Sequence, residues 1–273
     1  MIVFPNAKIN LGLRITSKRI DGYHNLDTVF YPINLNDALE IITHHDPSAN
    51  GVTFTSSGLN IPGSPNSNLC KKAYELLKEK FPELPAVQMH LHKNIPMGAG
   101  LGGGSADGAF TLQLLNHKFK LNLHEDELIE LALALGSDCP FFIKNIPVHA
   151  TGRGEIMKPT NVDLSHKKIA LVLPGIHVGT PIAFKDCPIE PNAIACNTIT
   201  QQPIEEWKDR LINDFEQTVF PIYPALKKIK EQLYDAGAIY ASMSGTGSTI
   251  FGIFDHMPDL ENTFNQDYKI VIC

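Results

Sequence analysis

A stretch with five glycines in seven consecutive positions, Gly98 to Gly104, is the part of the chain best suited to binding an anion. Glycine has no Cβ, so backbone N–H groups in such a stretch can approach a ligand closely and adopt positive φ at little cost. The surrounding loop consists of Pro96, Met97, Gly98, Ala99, Gly100, Leu101, Gly102, Gly103, Gly104, Ser105 and Ala106. This composition favours the binding of a phosphate group.

The segments on both sides of this loop predict a strand and a helix. Residues 87–92 alternate apolar and polar side chains, which is typical of a half-buried strand. After the loop, apolar residues recur at helical spacing, at Ala109, Leu112, Leu115 and Phe119. The loop would therefore open a helix, whose first N–H groups are unpaired and whose dipole is positive at that end. We expect a phosphate to bind there.

Two common phosphate-binding motifs fit this loop only in part. Gly98, Gly100 and Gly103 have the G-x-G-x-x-G spacing of a dinucleotide-binding fold, which also needs a second strand ending in an acid about 20 residues further on. Residues 125–135 instead predict a helix with an acidic first turn. No Gly-Lys-Ser/Thr follows the glycines, so the P-loop pattern is missing as well. Neither motif explains the loop.

Composition and charge restrict the class of protein. The chain has 273 residues, of which 43% are hydrophobic and 19% charged, as in ordinary globular proteins of one or two domains. Its formal net charge of −6 argues against nucleic acid as a partner, and it lacks an apolar run long enough for a membrane helix. Its five cysteines lack C-x-x-C spacing, which predicts reduced thiols in a cytoplasmic protein.

Polar residues in the first strand-like segment are candidates for a site. Residues 1–15 predict an edge strand that is bent or bulged at Pro5. Within this strand Lys8 and Asn10 share one face, because alternate residues of a strand point the same way. Taken alone, this position favours a solvated charge for Lys8.

A second polar group follows a predicted hairpin turn. Asp21 and Gly22 form a dipeptide that is typical of such turns. Tyr23 and His24 come next, and a pair of flat rings can hold a planar ligand.

Residues 44–46, His-His-Asp, have side chains that could bind a metal ion. Adjacent residues of an extended segment point to opposite faces, however, so we predict a solvated loop here.

One acidic residue lies in a turn that the sequence constrains. Asp138 is placed between a predicted helix end at Gly136 and Pro140, which should keep its neighbourhood from continuing as helix. Cys139 has the chemistry of a nucleophile but no defined base, so a small packed side chain is the simpler interpretation.

The last third of the chain predicts several further elements. The patterns predict a helix with Thr180 as N-cap and Pro181 as its first residue, and then a loop over 186–203. They also predict helices over 207–215 and 225–235, and a strand, glycine loop and strand over 238–254.

The order of these motifs resembles that of the GHMP kinases, which include galactokinase, homoserine kinase and mevalonate kinase. The loop from Pro96 to Ala106 is similar to their P-x-x-x-G-L-G-S/G-S/G-S-A pattern. The other stretches that carry the resemblance are residues 7–11, 21–24, 135–141, 180–185, 213–216 and 244–247. The resemblance implies an α+β protein with the two-domain GHMP kinase fold. It implies a ribosomal-protein-S5-domain-2-like domain over residues 1–158 and a ferredoxin-like domain over residues 159–273.

The stretches at residues 7–11 and 21–24 narrow the resemblance to members that act on a cytidine diphosphate-linked methylerythritol. Such an enzyme would use ATP and Mg²⁺ to phosphorylate the 2-hydroxyl of that small-molecule substrate, in non-mevalonate isoprenoid synthesis. It would be cytoplasmic, a monomer or a homodimer, with no nucleic-acid or membrane partner.

The resemblance also implies roles for individual residues. Asp138 would be the general base and Lys8 its cationic partner. The nucleotide would be held by Asn68, Lys93 and the loop from Pro96 to Ala106, and the substrate by Asn10, Tyr23, His24, Thr180 and Phe184. A carboxylate so close to a triphosphate would repel it unless it faces Mg²⁺ or a helix N–H group, so Asp107 is left without an assigned role. No protein ligand of Mg²⁺ is assigned either.

Two other functions remain open at this level. A protein with this fold could bind the nucleotide without catalysis, although the presence of both Lys8 and Asp138 favours an enzyme. A nicotinamide-dependent oxidoreductase would rest on the G-x-G-x-x-G spacing alone, and the missing second strand argues against it. An assay of phosphoryl transfer separates the kinase from both alternatives.

Overall fold

The computed structural model describes residues 1–46 and 48–273 and contains both strands and helices. In chain order the strands are β1 (Ile2–Val3), β2 (Asn6–Lys18), β3 (His24–Asn36), β4 (Ala38–Thr43), β5 (Val52–Gly58), β6 (Val87–Lys93), β7 (Val148–Gly152), β8 (Ile156–Pro159), β9 (Lys168–Leu173), β10 (Tyr240–Met243), β11 (Ile250–Phe254) and β12 (Lys269–Ile272). The α-helices are α1 (Leu69–Lys80), α2 (Gly103–Phe119), α3 (Glu125–Leu135), α4 (Cys139–Lys144), α5 (Thr180–Phe184), α6 (Cys196–Thr200), α7 (Glu216–Ile222) and α8 (Pro224–Asp235). The predicted α+β class is confirmed.

Two compact units divide the described residues, and both are discontinuous in sequence. The first consists of Met1–Ala7, Asn34–Met97 and Gly102–Ile146, and the second of Lys8–Ile33, Gly98–Leu101 and Pro147–Cys273. The first part of the chain therefore contributes strands to both units. The domain boundary after residue 158 stays a prediction.

The first unit contains a four-stranded sheet with the order β1-β4-β6-β5. Strand β6 pairs with β4 in antiparallel and with β5 in parallel orientation. Alternate side chains of β4 and β6 are buried, among them Ile41, Met89 and Leu91, as the alternating sequence of residues 87–92 predicts. Helix α1 begins where the Asn68 side chain accepts a hydrogen bond of 2.8 Å from the N–H of Cys70, a regular N-cap.

The second unit contains two further four-stranded sheets. One has the order β2-β3-β7-β8, and the other has the antiparallel order β10-β11-β9-β12. The core beside the second of these sheets buries apolar side chains such as Val172, Leu233 and Met243. Removal of this apolar surface from water is the main favourable contribution to folding.

Most of the local predictions for the first half of the chain are confirmed. Strand β1 ends at Val3 and β2 begins at Asn6, so the strand is interrupted at Pro5 as predicted. A hairpin turn joins β2 to β3, with Gly22 at a φ of +86°. Residues 44–46 lie outside the strands, in a loop.

The helix predicted over residues 207–215 is wrong. Apolar residues at Trp207, Leu211 and Phe215 have helical spacing, but this segment forms turns and α7 begins only at Glu216. Its backbone is engaged with β2 instead. The N–H of Leu13 donates to Ile212 O at 3.0 Å, and the N–H of Asp214 donates to Leu13 O at 2.8 Å. Long-range pairing has therefore overridden a local helical pattern.

Three smaller predictions also need correction. Thr180 is the first residue of α5 and Gly179 is its N-cap, so the predicted start is displaced by one residue. Pro140 does not prevent a helix, because it lies in the first turn of α4, where its missing N–H would have no helical partner. The predicted loop over residues 186–203 contains the short helix α6.

Candidate active site

The glycine-rich loop joins β6 to α2, which confirms the predicted strand, loop and helix. Gly98, Gly100 and Gly102 have φ of +67°, +79° and +71°, a region that other residues rarely adopt. The first helical hydrogen bond runs from the N–H of Ala106 to Gly102 O, at 2.9 Å. The earlier N–H groups of α2 have no carbonyl partner within the helix, as at any helix start, and are suited to bind an anion.

The second glycine loop, residues 244–248, packs directly against the first. The Ser244 hydroxyl donates to Gly100 O at 2.8 Å, and the N–H of Thr249 donates to Ala99 O at 3.2 Å. A Cβ on Gly100 would lie only 1.9 Å from Ser244 O. The contact between the two loops therefore requires glycine at position 100.

A cavity of about 340 Å³ lies within the first unit, beside the start of α2. Its lining includes three residues predicted to bind the nucleotide, Asn68, Met97 and Gly104, so the structure brings these together. Phe54 and Ile61 supply apolar surface that the sequence did not mark. The volume falls in the range of about 300–1,000 Å³ that small-molecule sites occupy, and an apolar wall with a few polar groups is typical of such sites.

Lys93, another predicted nucleotide contact, has its side chain in a buried ion-pair cluster. Its ammonium group donates to Asp107 Oδ2 at 2.7 Å and to Asp37 Oδ2. The residue is only 1% exposed. Sequence reasoning did not identify Asp37, which lies 56 positions before Lys93 in the chain. Contact of Lys93 with a nucleotide stays a prediction.

Lys8 and Asn10 lie side by side in the second unit. The Lys8 ammonium donates to Asn10 Oδ1 at 2.7 Å and to Gly100 O at 3.3 Å. The Asn10 amide in turn donates to the Thr28 hydroxyl at 2.9 Å. The shared face of Lys8 and Asn10 is confirmed, whereas the solvated charge favoured by the strand pattern is wrong, since Lys8 is only 4% exposed. An ammonium group at this depth is held by its hydrogen bonds.

The residues predicted to hold the substrate base form two groups. The rings of His24 and Phe184 stack, with centroids 4.9 Å apart, and Phe215 meets Phe184 edge-on. Burial, together with the charge of Lys18, lowers the pKa of His24, so its ring is neutral at neutral pH. Tyr23 is 58% exposed, and the Arg153 guanidinium lies over its ring at 5.2 Å. Thr180 is exposed at the first residue of α5.

Asp138, the predicted base, immediately precedes α4 and is half-buried. Its neighbour Cys139 is fully buried beside the Ser105 hydroxyl, and this burial raises the pKa of its thiol to about 12. A thiol with this pKa is not a nucleophile at neutral pH, which agrees with the simpler interpretation of Cys139 as a packed side chain. Asp138 belongs to the first unit and Lys8 to the second, and their pairing stays a prediction.

Asn213 and Glu216 are structural contributors whose roles the sequence did not specify. The Asn213 amide donates to Met243 O at 2.7 Å and to Gly245 O at 2.8 Å. A Glu216 carboxylate oxygen accepts from the N–H of Met243 at 2.8 Å. Both residues thus hold the strand end and the second glycine loop. The available signal was the stretch at residues 213–216, which carried part of the family resemblance but to which no role was assigned.

Comparisons with known proteins define the class of this fold and loop. The family model of the GHMP kinase N-terminal domain matches residues 68–145, and that of the C-terminal domain matches residues 203–268. A solved 4-(cytidine 5'-diphospho)-2C-methyl-D-erythritol kinase aligns with a TM-score of 0.76 and 32% identity, covering 93% of this chain and 90% of that one. The mevalonate kinase of Methanococcus jannaschii shares the fold, with a TM-score of 0.73, 13% identity and coverage of 100% and 97%.

Curated relatives narrow the class further. The 4-diphosphocytidyl-2-C-methyl-D-erythritol kinase of Cytophaga hutchinsonii is 53% identical over 268 residues, which is 97% of each chain. The protein of the same name from Bacteroides fragilis is 50% identical over 273 residues, covering 100% of this chain and 98% of the relative. The chain belongs to the GHMP kinases, and within them to the family of 4-diphosphocytidyl-2-C-methyl-D-erythritol kinases. GHMP kinases are ATP-dependent phosphotransferases. Within the described residues, no helix has the length and apolar character needed to cross a membrane.

Proposed function

We propose that this chain transfers the γ-phosphoryl group of ATP to the 2-hydroxyl of 4-diphosphocytidyl-2-C-methyl-D-erythritol, forming the 2-phosphate and ADP. The reaction belongs to non-mevalonate isoprenoid synthesis. The observation that carries the proposal is the full-length identity of about half to curated kinases of this name. The glycine loop at the start of α2 supports it independently, because it presents unpaired N–H groups where phosphates bind. We further propose that the protein is located in the cytoplasm and that it is a monomer or a homodimer.

The nucleotide would occupy the cavity in the first unit and the glycine loop next to it. The adenosine would lie against Phe54, Ile61 and Asn68, and the phosphates along residues 98–105. Positive φ at three glycines turns the backbone of this loop, and the dipole of α2 favours negative charge at its start. Lys93 would act on this site through Asp37 and Asp107, because these two carboxylates engage its ammonium group.

The acceptor would be recognised by residues of the second unit. A cytosine ring would stack on aromatic surface supplied by Tyr23 and Phe184, while the neutral His24 ring offers one donor and one acceptor to its edge. Stacking of a base on an aromatic side chain contributes about 1–3 kcal/mol. Asn10 and Thr180 would add polar contacts to the rest of the substrate.

Transfer would require removal of one proton and movement of one phosphoryl group. The Asp138 carboxylate would accept the proton of the 2-hydroxyl. At the same time the hydroxyl oxygen of the substrate would bond to the γ-phosphorus, and the bond between that phosphorus and the ADP oxygen would break. The Lys8 ammonium, held by Asn10 Oδ1 and Gly100 O, would stabilise negative charge on the reacting oxygens. Alignment by the glycine loop would contribute at least as much as proton removal.

We assign Mg²⁺ to the phosphates of the nucleotide. Among residues 1–46 and 48–273, no group of three or more His, Cys, Asp or Glu side chains is placed to hold a metal ion. Mg²⁺ in kinases is usually bound through substrate phosphates and waters with only one or two carboxylates, so this donor set fits. When bound, Mg²⁺ would neutralise part of the phosphate charge.

A turnover assay tests the proposed function. The folded protein is incubated with Mg-ATP and the cytidyl substrate, and ADP release is measured against a sample without acceptor. We expect ADP and the 2-phosphate in equal amounts. A folded protein that binds nucleotide but releases no ADP above background would instead be a non-catalytic binding module. A matched assay with free methylerythritol, which lacks the cytidine group, should show little turnover.

A further inference from the structure

Asp37, Lys93 and Asp107 form a cluster that the reaction scheme does not use. The side chains of Lys93 and Asp37 are fully buried, and that of Asp107 is 5% exposed. One ammonium group thus faces two carboxylates away from water. If both carboxylates are ionised, the cluster carries a net charge of −1 at a depth where an uncompensated charge is costly.

The two carboxylates differ in what stabilises them. Asp37 Oδ1 accepts hydrogen bonds from the N–H groups of Asn94, at 2.6 Å, and Ile95, at 2.8 Å, while its Oδ2 accepts from Lys93. Asp107 Oδ2 accepts from Lys93 alone, and its buried Oδ1 has no hydrogen-bond partner among the described residues. A carboxylate with a single donor is the less stable anion. Asp107 is therefore the group that should carry a proton.

The ionisable groups around Asp107 are consistent with placing the proton on its carboxyl group. Burial raises the pKa of its carboxyl to about 7, with the charge of Asp37 acting in the same direction and that of Lys93 opposing it. Burial lowers the pKa of Lys93, but the charges of Asp107 and Asp37 outweigh that effect and raise it, so Lys93 stays charged. On α1, burial raises the pKa of the Cys70 thiol, which is therefore neutral.

Asp107 also lies close to the place proposed for the phosphates. It is four residues beyond Gly103, the first residue of α2, which is a rise of about 6 Å along the helix. It also lines the cavity of the first unit together with Gly104. An ionised Asp107 would repel phosphates bound at the helix start, and the low polarity of its surroundings would screen this repulsion poorly.

We propose that Asp107 takes up a proton from solvent when nucleotide phosphates bind at the start of α2, so that the Asp37–Lys93–Asp107 cluster becomes neutral. The inference rests on the proposed function only for the position of the phosphates. Asp107 is then a positioning residue that couples nucleotide binding to pH. Below neutral pH it is already protonated and the affinity is independent of its titration. Above neutral pH each nucleotide bound takes up one proton from solution, and the affinity falls by at most about tenfold per pH unit.

Calorimetry of MgADP binding at pH 8 in two buffers of different ionisation enthalpy measures this uptake directly. At that pH a free carboxyl with a pKa of about 7 is about nine-tenths ionised. We expect the wild type to take up nearly one proton per nucleotide. Asp107→Asn, which keeps the shape of the side chain but cannot titrate, should lose this uptake. Glu130→Gln, the same carboxylate-to-amide change at an exposed site on α3, should retain it.

Proton uptake of zero in the wild type, or equal uptake in Asp107→Asn, would overturn the inference while leaving the kinase proposal intact. Failure of MgADP to bind the wild type would instead remove the proposed function and the inference with it. If Asp107→Asn does not fold, NMR of wild-type protein with labelled aspartate carboxyl carbons decides. A carboxyl that titrates near pH 7 in the free protein, and only at higher pH with MgADP, supports the inference. The same titration in both states contradicts it.

Discussion

At the scale of single residues, the proposed transfer gives a carboxylate and an ammonium group different tasks. Asp138 would remove a proton, whereas Lys8 would stabilise charge from a position held by Asn10 and the Gly100 carbonyl. Proton removal is a separable part of the barrier, because binding of both ligands does not depend on it. Loss of the base should therefore affect turnover far more than binding.

Replacing Asp138 with Asn tests this separation. We expect kcat to fall by about 10²–10⁴-fold, the usual contribution of a general base, with nearly unchanged affinity for MgADP and for the cytidyl substrate. Steady-state kinetics and calorimetry measure the two effects. Asp126→Asn, at an exposed position on α3, is the matched control and should keep the wild-type kcat. A wild-type kcat in Asp138→Asn would remove Asp138 from the role of base.

Tyr23 makes a second prediction at this scale. The Arg153 guanidinium lies over its ring, but Tyr23 is still 58% exposed. Its ring is therefore accessible to the cytosine of the substrate. Tyr23→Ala should raise the KM for the cytidyl substrate by roughly 5- to 150-fold, since stacking contributes about 1–3 kcal/mol. Tyr23→Phe keeps the ring and should stay close to the wild type. An unchanged KM in Tyr23→Ala would exclude Tyr23 from the base site, and an altered KM for ATP would indicate a different role.

At the scale of elements, the glycine loop depends on a second glycine loop from the far end of the chain. Gly100 and Ser244 are in contact at a distance that leaves no room for a Cβ. Asn213 and Glu216 in turn bind the backbone next to Ser244. A chain of hydrogen bonds thus connects the phosphate loop to the core of the second unit. The geometry of the loop is accordingly set by its support as well as by its own glycines.

Gly100→Ala tests the contact between the loops. A left-handed backbone costs a non-glycine residue about 1–2 kcal/mol, and here the new Cβ would also collide with Ser244 O. Gly175→Ala is a matched control, because Gly175 has a φ of +71° but no atom within 4 Å of the position that its Cβ would take. We expect Gly100→Ala to lower the melting temperature more than Gly175→Ala, and to raise the KM for ATP as well. Equal effects of both changes would show that the contact does not support the loop.

At the scale of the whole molecule, the thiols report on the state of the fold. All five cysteines are free, and Cys70, Cys139 and Cys196 are buried, whereas Cys187 and Cys273 are partly exposed. Burial raises the pKa of each of the three buried thiols. Thiolates, not thiols, react with disulfide reagents. The folded protein should therefore protect most of its thiols.

A thiol titration checks this prediction. In the native state the Ellman reagent should modify at most Cys273 rapidly and Cys187 more slowly, because burial raises the pKa of the Cys187 thiol to about 11, and all five should react after denaturation. Cys187→Ser and Cys273→Ser assign the reactions of the native protein, and Cys139→Ser, at a buried position, is the control that should leave them unchanged. Rapid reaction of Cys139 in the folded protein would contradict the buried, protonated thiol and would reopen its interpretation as a nucleophile.

The sequence by itself determined the features that depend on near neighbours along the chain. The strand, glycine loop and helix around residues 87–119 and the shared face of Lys8 and Asn10 follow from local periodicity and from the missing Cβ of glycine. The family, too, could be recognised from short motifs in their order. These features need no knowledge of which segments meet in space.

Only the tertiary structure decided which polar groups are buried and with what partner. The strand pattern alone predicts a solvated charge for Lys8, but in the packed structure its side chain is buried. Lys93 forms an ion pair with Asp37, which is 56 residues away along the chain. The apolar residues of 207–215 have helical spacing, but the backbone of this segment forms hydrogen bonds with β2 instead. The physical reason is the same in each case. Local patterns set the direction of a side chain on its own element, whereas burial, pKa and hydrogen-bond partners depend on contacts between segments distant in sequence.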